Sequence, residues 1–391
     1  MTDSKKSFSW RKLVNNIHLW LGIGSGLILF LVCLTGTIYT FRAEIEQMLE
    51  PGKYTVEVAE GAGPLQIEQI VSRVIAETGG EVSSIEVPAE PDKAYSLRVK
   101  TSPEERRGTM YYVNPYTGLL LGTSDGPASG FFMGVFRMHR WLLMDSSIGR
   151  PIVGVATLIF VFIILTGLVL WWPKKLKNWK QGFKVKTRAN WKRINHDLHN
   201  TLGFYTFFLL LIMSLTGLCW SFGWYRDALG MVLGTEVFGR RGGGESPAST
   251  IPDGQTATLS PEEYLVIASG ELSYAGDYRL SMPSSPEGVV TIQKTGSGFF
   301  ASSGRDVIIL DQYSGEVLKI ERFSDKALNE QIAGSIKPIH TGEIFGTFSK
   351  IIYFIACLIA TSLPVTGTII WINKLRKKNR KRRKTRQKSL A

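Results

Sequence analysis

"WKRINHDLHNTLGFYTFFLLLIMSLTG", residues 191–217, aligns without a gap on "WRKLVNNIHLWLGIGSGLILFLVCLTG", residues 10–36. Trp191 falls on Trp10, His199 on His18 and Gly203 on Gly22. Leu215-Thr216-Gly217 falls on Leu34-Thr35-Gly36. Each segment opens basic, carries a histidine, and then runs apolar to a Thr-Gly pair. Such a match at long spacing is the signature of an internal repeat. In membrane proteins, tandem halves of this kind pack around an axis along the membrane normal.

Four stretches of twenty or more residues hold no Asp, Glu, Lys or Arg: 17–41, 151–172, 199–225 and 351–373. A helix rises about 1.5 Å per residue, so each is long enough to cross a hydrocarbon core of roughly 30 Å. The chain is thus expected to be an integral membrane protein. The first stretch is longer than a secretory h-region and no small-x-small cleavage pattern follows it, so it reads as a retained helix. Its second and fourth apolar helices correspond more loosely: His139 precedes Thr166-Gly167 as His340 precedes Thr366-Gly367. Pro364 is expected to kink the fourth helix locally.

Charge sets the orientation. Segments 1–17, 173–195 and 374–391 hold 4, 9 and 11 Lys/Arg against one acid, Asp3, while the whole chain carries a net +13. By the positive-inside rule the three segments are cytoplasmic. The expected order is a cytoplasmic N-terminus (1–16), a span (17–41), a periplasmic region (42–147) and a second span (148–172). A basic cytoplasmic loop (173–195), a third span (196–225), a second periplasmic region (226–347), a fourth span (348–373) and a basic cytoplasmic tail (374–391) follow. Beside a membrane helix, the tail "KLRKKNRKRRKTRQKSLA" reads as a topology anchor and not as a nucleic-acid site. Cys33, Cys219 and Cys357 all fall in apolar segments and read as small buried hydrophobes.

The two regions outside the spans are α+β in pattern. "PLQIEQIVSRVIAETG" (64–79) has helical periodicity and a Gly stop, and "EVSSIEVP", "AYSLRVK" and "GTMYYVNPYTGLLLG" alternate like strands. The second region repeats the plan with "SPEEYLVIASG", "YRLSMP", "GVVTIQK" and "DVIILDQYSGEVLKI". "NPYTG" and "DQYSG" share one turn outline. The Gly-rich stretch 239–250 reads as a linker.

The chain has five histidines, and all five border apolar runs. A membrane-end histidine is ordinarily just a polar interfacial residue. Here the repeat maps four of them in pairs, His18 with His199 at the inner end and His139 with His340 at the outer end. Two imidazoles on different helices at equal depth suit axial ligation of a haem lying between them. His196 aligns with Asn15; it is an alternative inner ligand, a propionate contact or an interfacial residue. Arg137, Arg140 and Lys337 place positive charge beside the outer pair, for haem propionates or for an anionic chelate. Trp141 and Phe345 either cover a cofactor edge or anchor the interface. "GIGSG" (22–26) follows no strand and is no dinucleotide fingerprint. With no CxxCH motif either, the expected cofactors are two non-covalent haems b. The electron donor is then a separate quinol, flavin or reductase.

"IHLWLGIGSGLILFLVCLTG", "DLHNTLGFYTFFLLLIMSLTG" and the paired "NPYTG"/"DQYSG" hairpins resemble the PepSY-associated transmembrane family of bacterial inner-membrane proteins. The similarity covers nearly the whole chain and is greatest to the iron-regulated members, among them ferric siderophore reductases of the ferrioxamine type. The resemblance implies bis-histidine haems, periplasmic PepSY domains and one-electron reduction of ferric siderophore iron. The expected protein is a multi-pass, four-helix di-haem reductase with two periplasmic α+β PepSY-like domains and both termini cytoplasmic. Two other classes fit less of the pattern. A non-redox sensor or scaffold that binds a peptide or protease does not need histidine pairs. A haem or metal transporter needs a broken helix and midplane polar groups.

Overall fold

The computed structural model of the chain describes residues 9–102, 104–105, 108–238, 247–252 and 257–390. Most of the Gly-rich stretch expected as a linker, residues 239–246, lies outside them. The helices are α1 (Trp10–Thr40), α2 (Arg42–Leu49), α3 (Pro51–Tyr54), α4 (Ile67–Thr78), α5 (Ser129–Trp141) and α6 (Ser146–Trp171) in the first half. The second half has α7 (Trp191–Ser221), α8 (Gly223–Leu233), α9 (Pro261–Glu271), α10 (Leu328–Gly334), α11 (Ile336–Thr341) and α12 (Gly346–Leu390). The strands are β1 (Glu81–Val87), β2 (Tyr95–Lys100), β3 (Thr109–Val113) and β4 (Leu120–Thr123), then β5 (Gly276–Ser281), β6 (Val289–Gly296), β7 (Arg305–Asp311) and β8 (Val317–Glu321).

Helices α1, α6, α7 and α12 are each long and apolar enough to cross a membrane, with mean hydropathies of 2.2, 2.9, 2.0 and 1.9 over their best windows. All four begin before the apolar stretches do, and α12 also runs well beyond its stretch, because a helix need not stop where lipid does. The expected tail, for example, continues α12 as helix to Leu390, and Pro364 sits inside that single helix. α1 packs on α6 and α12, and α7 packs on the same two, so the four close into a ring. Ile164, Leu210 and Ala360 fill its centre. Many hydroxyls in the bundle are satisfied within their own helices, although Thr201 donates to the Gly182 carbonyl outside α7. Ser25 donates to the Leu21 carbonyl (2.7 Å) and Ser214 to that of Leu210 (2.7 Å), as a medium without water requires.

At one end of the bundle lies a single eight-stranded sheet, ordered β4-β3-β2-β1-β5-β6-β7-β8. Each half contributes a four-stranded antiparallel meander. The patterning suggests two separate units; the edges β1 and β5 pair antiparallel, with Ile85 opposite Leu280 and Glu86 opposite Arg279. That pairing satisfies two rows of backbone groups that would otherwise stand as open edges. One face is covered by α4 and α9, and the shared core includes Ile70, Ile85, Leu97, Leu280, Ile292, Ile308 and Leu310, all fully buried. Each such side chain contributes about 1.5–3 kcal/mol relative to exposure.

Local signals set the boundaries. α4 ends at Gly79 in the left-handed conformation (φ 66°), a backbone state that costs glycine nothing. α9 starts with a reciprocal capping box between Ser260 and Glu263. In both hairpins the first residue of the turn accepts two backbone N–H bonds. Asn114 Oδ1 accepts from Tyr116 and Thr117, and Asp311 Oδ1 from Tyr313 and Ser314. Gly118 and Gly315 follow, each at φ 71°.

Candidate functional site

Every one of the four Thr-Gly pairs in the long helices holds a histidine. The threonine hydroxyls donate to carbonyls of their own helices: Thr166 to Phe162 (2.7 Å), Thr366 to Ser362 (3.0 Å), Thr216 to Ile212 (2.8 Å) and Thr35 to Leu31 (2.6 Å). With its proton so engaged, each Oγ1 is left as an acceptor. The imidazole Nδ1 atoms of His18 and His199 lie 3.0 and 2.9 Å from Oγ1 of Thr166 and Thr366. Those of His340 and His139 lie 3.1 and 3.4 Å from Thr216 and Thr35. These last two also reach the carbonyls of Met213 and Val32, each at 2.9 Å. Facing only acceptors, Nδ1 must carry the proton in all four rings. Nε2 is then the unprotonated nitrogen, as a metal-ligating imidazole requires.

The glycines make the close approach possible. A Cβ added at Gly36, Gly167, Gly217 or Gly367 would lie 3.2, 3.3, 3.0 or 3.2 Å from Cε1 of His139, His18, His340 or His199. The sequence suggests these residues as helix-packing positions. Their neighbour is an imidazole, more than a hundred positions away in the chain. That role has no local signal beyond the recurrence of Thr-Gly itself.

The histidines meet across the two halves. The ring centroids of His18 and His199 are 6.4 Å apart at 86°, and those of His139 and His340 are 6.4 Å apart at 56°. A metal–imidazole bond of about 2 Å plus roughly 1.1 Å to the ring centre would put two imidazole centroids on opposite sides of one metal ~6.2 Å apart. Both pairs match that span. Among the described residues no group of three or more His, Cys, Asp or Glu side chains converges. Each pair brings two imidazoles together, a donor set that fits a bis-histidine haem.

The pair remote from the sheet lines a cavity of about 590 Å³. Gly22, Gly26 and Gly203 form part of its wall, and a Cβ at Gly22 would meet nothing within 4 Å. Phe160, Phe204 and Phe207 add apolar surface, while Lys12, Lys174 and Lys374 line it with cations. Arg11 lines it too, but its guanidinium is engaged with the Leu170 and Trp172 carbonyls at the end of α6. A flat apolar group with anionic substituents suits such a lining. His196 lies at the same cavity, yet its side chain is 56% exposed and stands 3.5 Å from Asp197. The ring that stands against His18 is that of His199.

Beneath the sheet, α5 carries His139 to α1 and α11 carries His340 to α7. Of the three cations expected there, Arg137 and Lys337 are exposed. Arg140 is partly buried, over the rings of Phe136 (5.6 Å) and Trp141 (5.3 Å), and acts electrostatically on both histidines. Arg150, which sequence reasoning passed over, interacts with Arg140 and has a buried Nε without a protein partner. A buried unpartnered guanidinium nitrogen calls for an anion or water. Trp220, also passed over, lies 5.2 Å from His340. Phe345 is exposed, and its backbone forms a bridge with that of Ser302.

Four apolar helices, with an imidazole pair at each end and a sheet above one of them, define a multi-span membrane protein. The chain belongs to the PepSY-associated TM region family, which matches residues 16–374. No curated protein matches it.

Proposed function

We propose that the protein is a di-haem b reductase of the bacterial inner membrane, built as a tandem repeat with both termini cytoplasmic. It passes electrons across the bilayer to ferric siderophore iron in the periplasm. The observation that carries this reading is the twofold occurrence of one arrangement: two imidazoles 6.4 Å apart, each with Nδ1 committed to a hydrogen bond and Nε2 free. The basic segments at the cavity end support a cytoplasmic position for His18 and His199. The sheet, with its PepSY-like halves, is then periplasmic and covers His139 and His340. On α1, His18 and the Thr35 that holds His139 are separated by about 25 Å of helix, close to the hydrocarbon thickness of roughly 30 Å.

Bound haem supplies reversible one-electron transfer. The chain's own residues do the rest. His18 with His199, and His139 with His340, are the residues that would hold one haem each. The Thr hydroxyls and helix carbonyls fix ring orientation and tautomer. The cavity lysines, and Arg140 with Arg150 at the other end, balance propionate charge. A quinol or a separate reductase delivers the electrons at the cytoplasmic side. Each ferric ion takes up one electron and leaves as Fe(II), which hydroxamate or catecholate oxygens bind less well.

The test is the optical spectrum of the purified protein: a reducible low-spin b-type signal with two haems per chain. The reduced protein, mixed with a ferric siderophore, is expected to reoxidise and deliver ferrous iron to a trap. A chain purified without haem after expression with haem supplied would end the redox reading and leave the sensor class. A haem protein that stays reduced with every ferric chelate would end the siderophore step alone.

A further inference from the structure

An exposed apolar surface of α12 continues past the N-terminal end of the helix. Phe348, Ile351, Ile352, Ile355 and Leu358 recur at three- and four-residue spacing and are all exposed, so they form one stripe along the helix. On the other side Lys350 is buried and pairs with Glu44 at 2.7 Å. Above the stripe sits the loop between β6 and β7, residues 297–304, "SGFFASSG", which carries no charge. The Phe299 and Phe300 rings are 4.8 Å apart, and the Phe300 ring is 5.1 Å from that of Phe348. Phe300 is 67% exposed.

The loop is held there by its backbone. The Phe299 carbonyl accepts from Phe348 N (3.2 Å), the Ile344 carbonyl accepts from Ser303 N (3.2 Å), and Ser302 bridges Phe345. Gly346 (φ 57°) permits the approach, since a Cβ there would lie 2.8 Å from the Phe299 carbonyl. Two phenylalanines fixed in water beside a membrane helix would expose a contiguous apolar patch for no gain. At the level of the headgroups the same rings are stabilised by burial.

We propose that this loop is a membrane anchor: Phe299 and Phe300 insert into the lipid interface on the sheet side and tether the second half of the sheet to the bilayer. The partner is the lipid surface itself, through continuity with the apolar stripe of α12. The matching loop of the first half, "TSPEERRG" (101–108), carries four charges and is expected to stay in water. The proposal rests on the membrane helices alone and is independent of any cofactor.

The test uses the full chain in phosphatidylcholine–phosphatidylglycerol nanodiscs, with a nitroxide on F300C, F299C or, for comparison, E104C. Collision rates with oxygen and with a water-soluble nickel chelate give the depth of each label. Labels at 299 and 300 are expected to favour oxygen over the chelate several-fold more than the label at 104. If 299 and 300 match 104, the anchor is disproved and the patch faces water or a protein partner. Two label positions guard against one variant failing to fold.

Discussion

The two halves of the chain hold their histidines in the same way, share one strand plan, and differ in the details around it. In the first half α6 receives His18 at Thr166-Gly167 and α1 receives His139 at Thr35-Gly36. In the second, α12 receives His199 at Thr366-Gly367 and α7 receives His340 at Thr216-Gly217. Beyond these contacts the halves part. One turn is built on Asn114 and the other on Asp311; one β-hairpin loop is charged and the other carries two phenylalanines. After His139 the chain turns through Leu142 and Leu143 at φ 55° and 60°, whereas after His340 it turns at Gly342. A left-handed leucine costs roughly 1–2 kcal/mol, so even the backbone chemistry of equivalent corners is free to vary. What stays fixed is the geometry that a shared site needs from both halves.

If each site is assembled from one imidazole of either half, a single substitution should empty one end whichever half it falls in. His18→Ala or His199→Ala is expected to remove one of the two haems, and His139→Ala or His340→Ala the other, with the remaining haem still reducible. His196→Ala should keep both. Haem-to-protein ratio and the reduced spectrum read this directly, and loss of haem in H196A with retention in H199A would break the pairing.

A finer comparison lies in how tightly each ring is held. Gly217→Ala places a Cβ 3.0 Å from His340, and Gly167→Ala places one 3.3 Å from His18. The first is expected to weaken haem binding about tenfold or more, on the scale of orienting contacts, and the second less. Thr366→Val removes an acceptor 2.9 Å from His199, while Thr35→Val removes one 3.4 Å from His139, which keeps the Val32 carbonyl at 2.9 Å. A loss of about 1 kcal/mol is expected for the former and a smaller one for the latter. Haem titration of the apo-protein would rank the four, and equal losses would mean that the threonines do not orient the rings.

The smallest effect separates the two turns. Burial opposes ionisation of Asp311, but backbone N–H groups of Ser314, Thr250 and Tyr313 outweigh it and hold its pKa below the usual carboxylate range. A depressed pKa contributes stability in full above the unfolded value of about 3.9, and that contribution is lost as pH falls through the folded value. Asn114 has no such titration. Asp311→Asn should therefore lower the melting temperature at pH 7, with the gap to wild type closing below pH 4. A gap independent of pH would show that the charge at 311 contributes nothing.

The sequence by itself determined the four spans, the strands, both turns and the identity of the histidines. Those signals are local. Charge-free runs, period-two alternation, an Asn or Asp before a turn glycine, and an imidazole at a helix end can each be read within a few residues. The halves' alignment even gave the pairing of His18 with His199 that the geometry shows at 6.4 Å. Only the tertiary structure decided what the Thr-Gly pairs are for, because His18 and Thr166 are 148 positions apart and nothing in either segment names the other. It also decided that β1 and β5 join two meanders into one sheet, and that Arg150 leaves a buried nitrogen unpartnered beside Arg140. Local chemistry is written in the order of residues. Which donor faces which acceptor is fixed only when helices from distant parts of the chain pack, since packing and not sequence neighbourhood sets those distances.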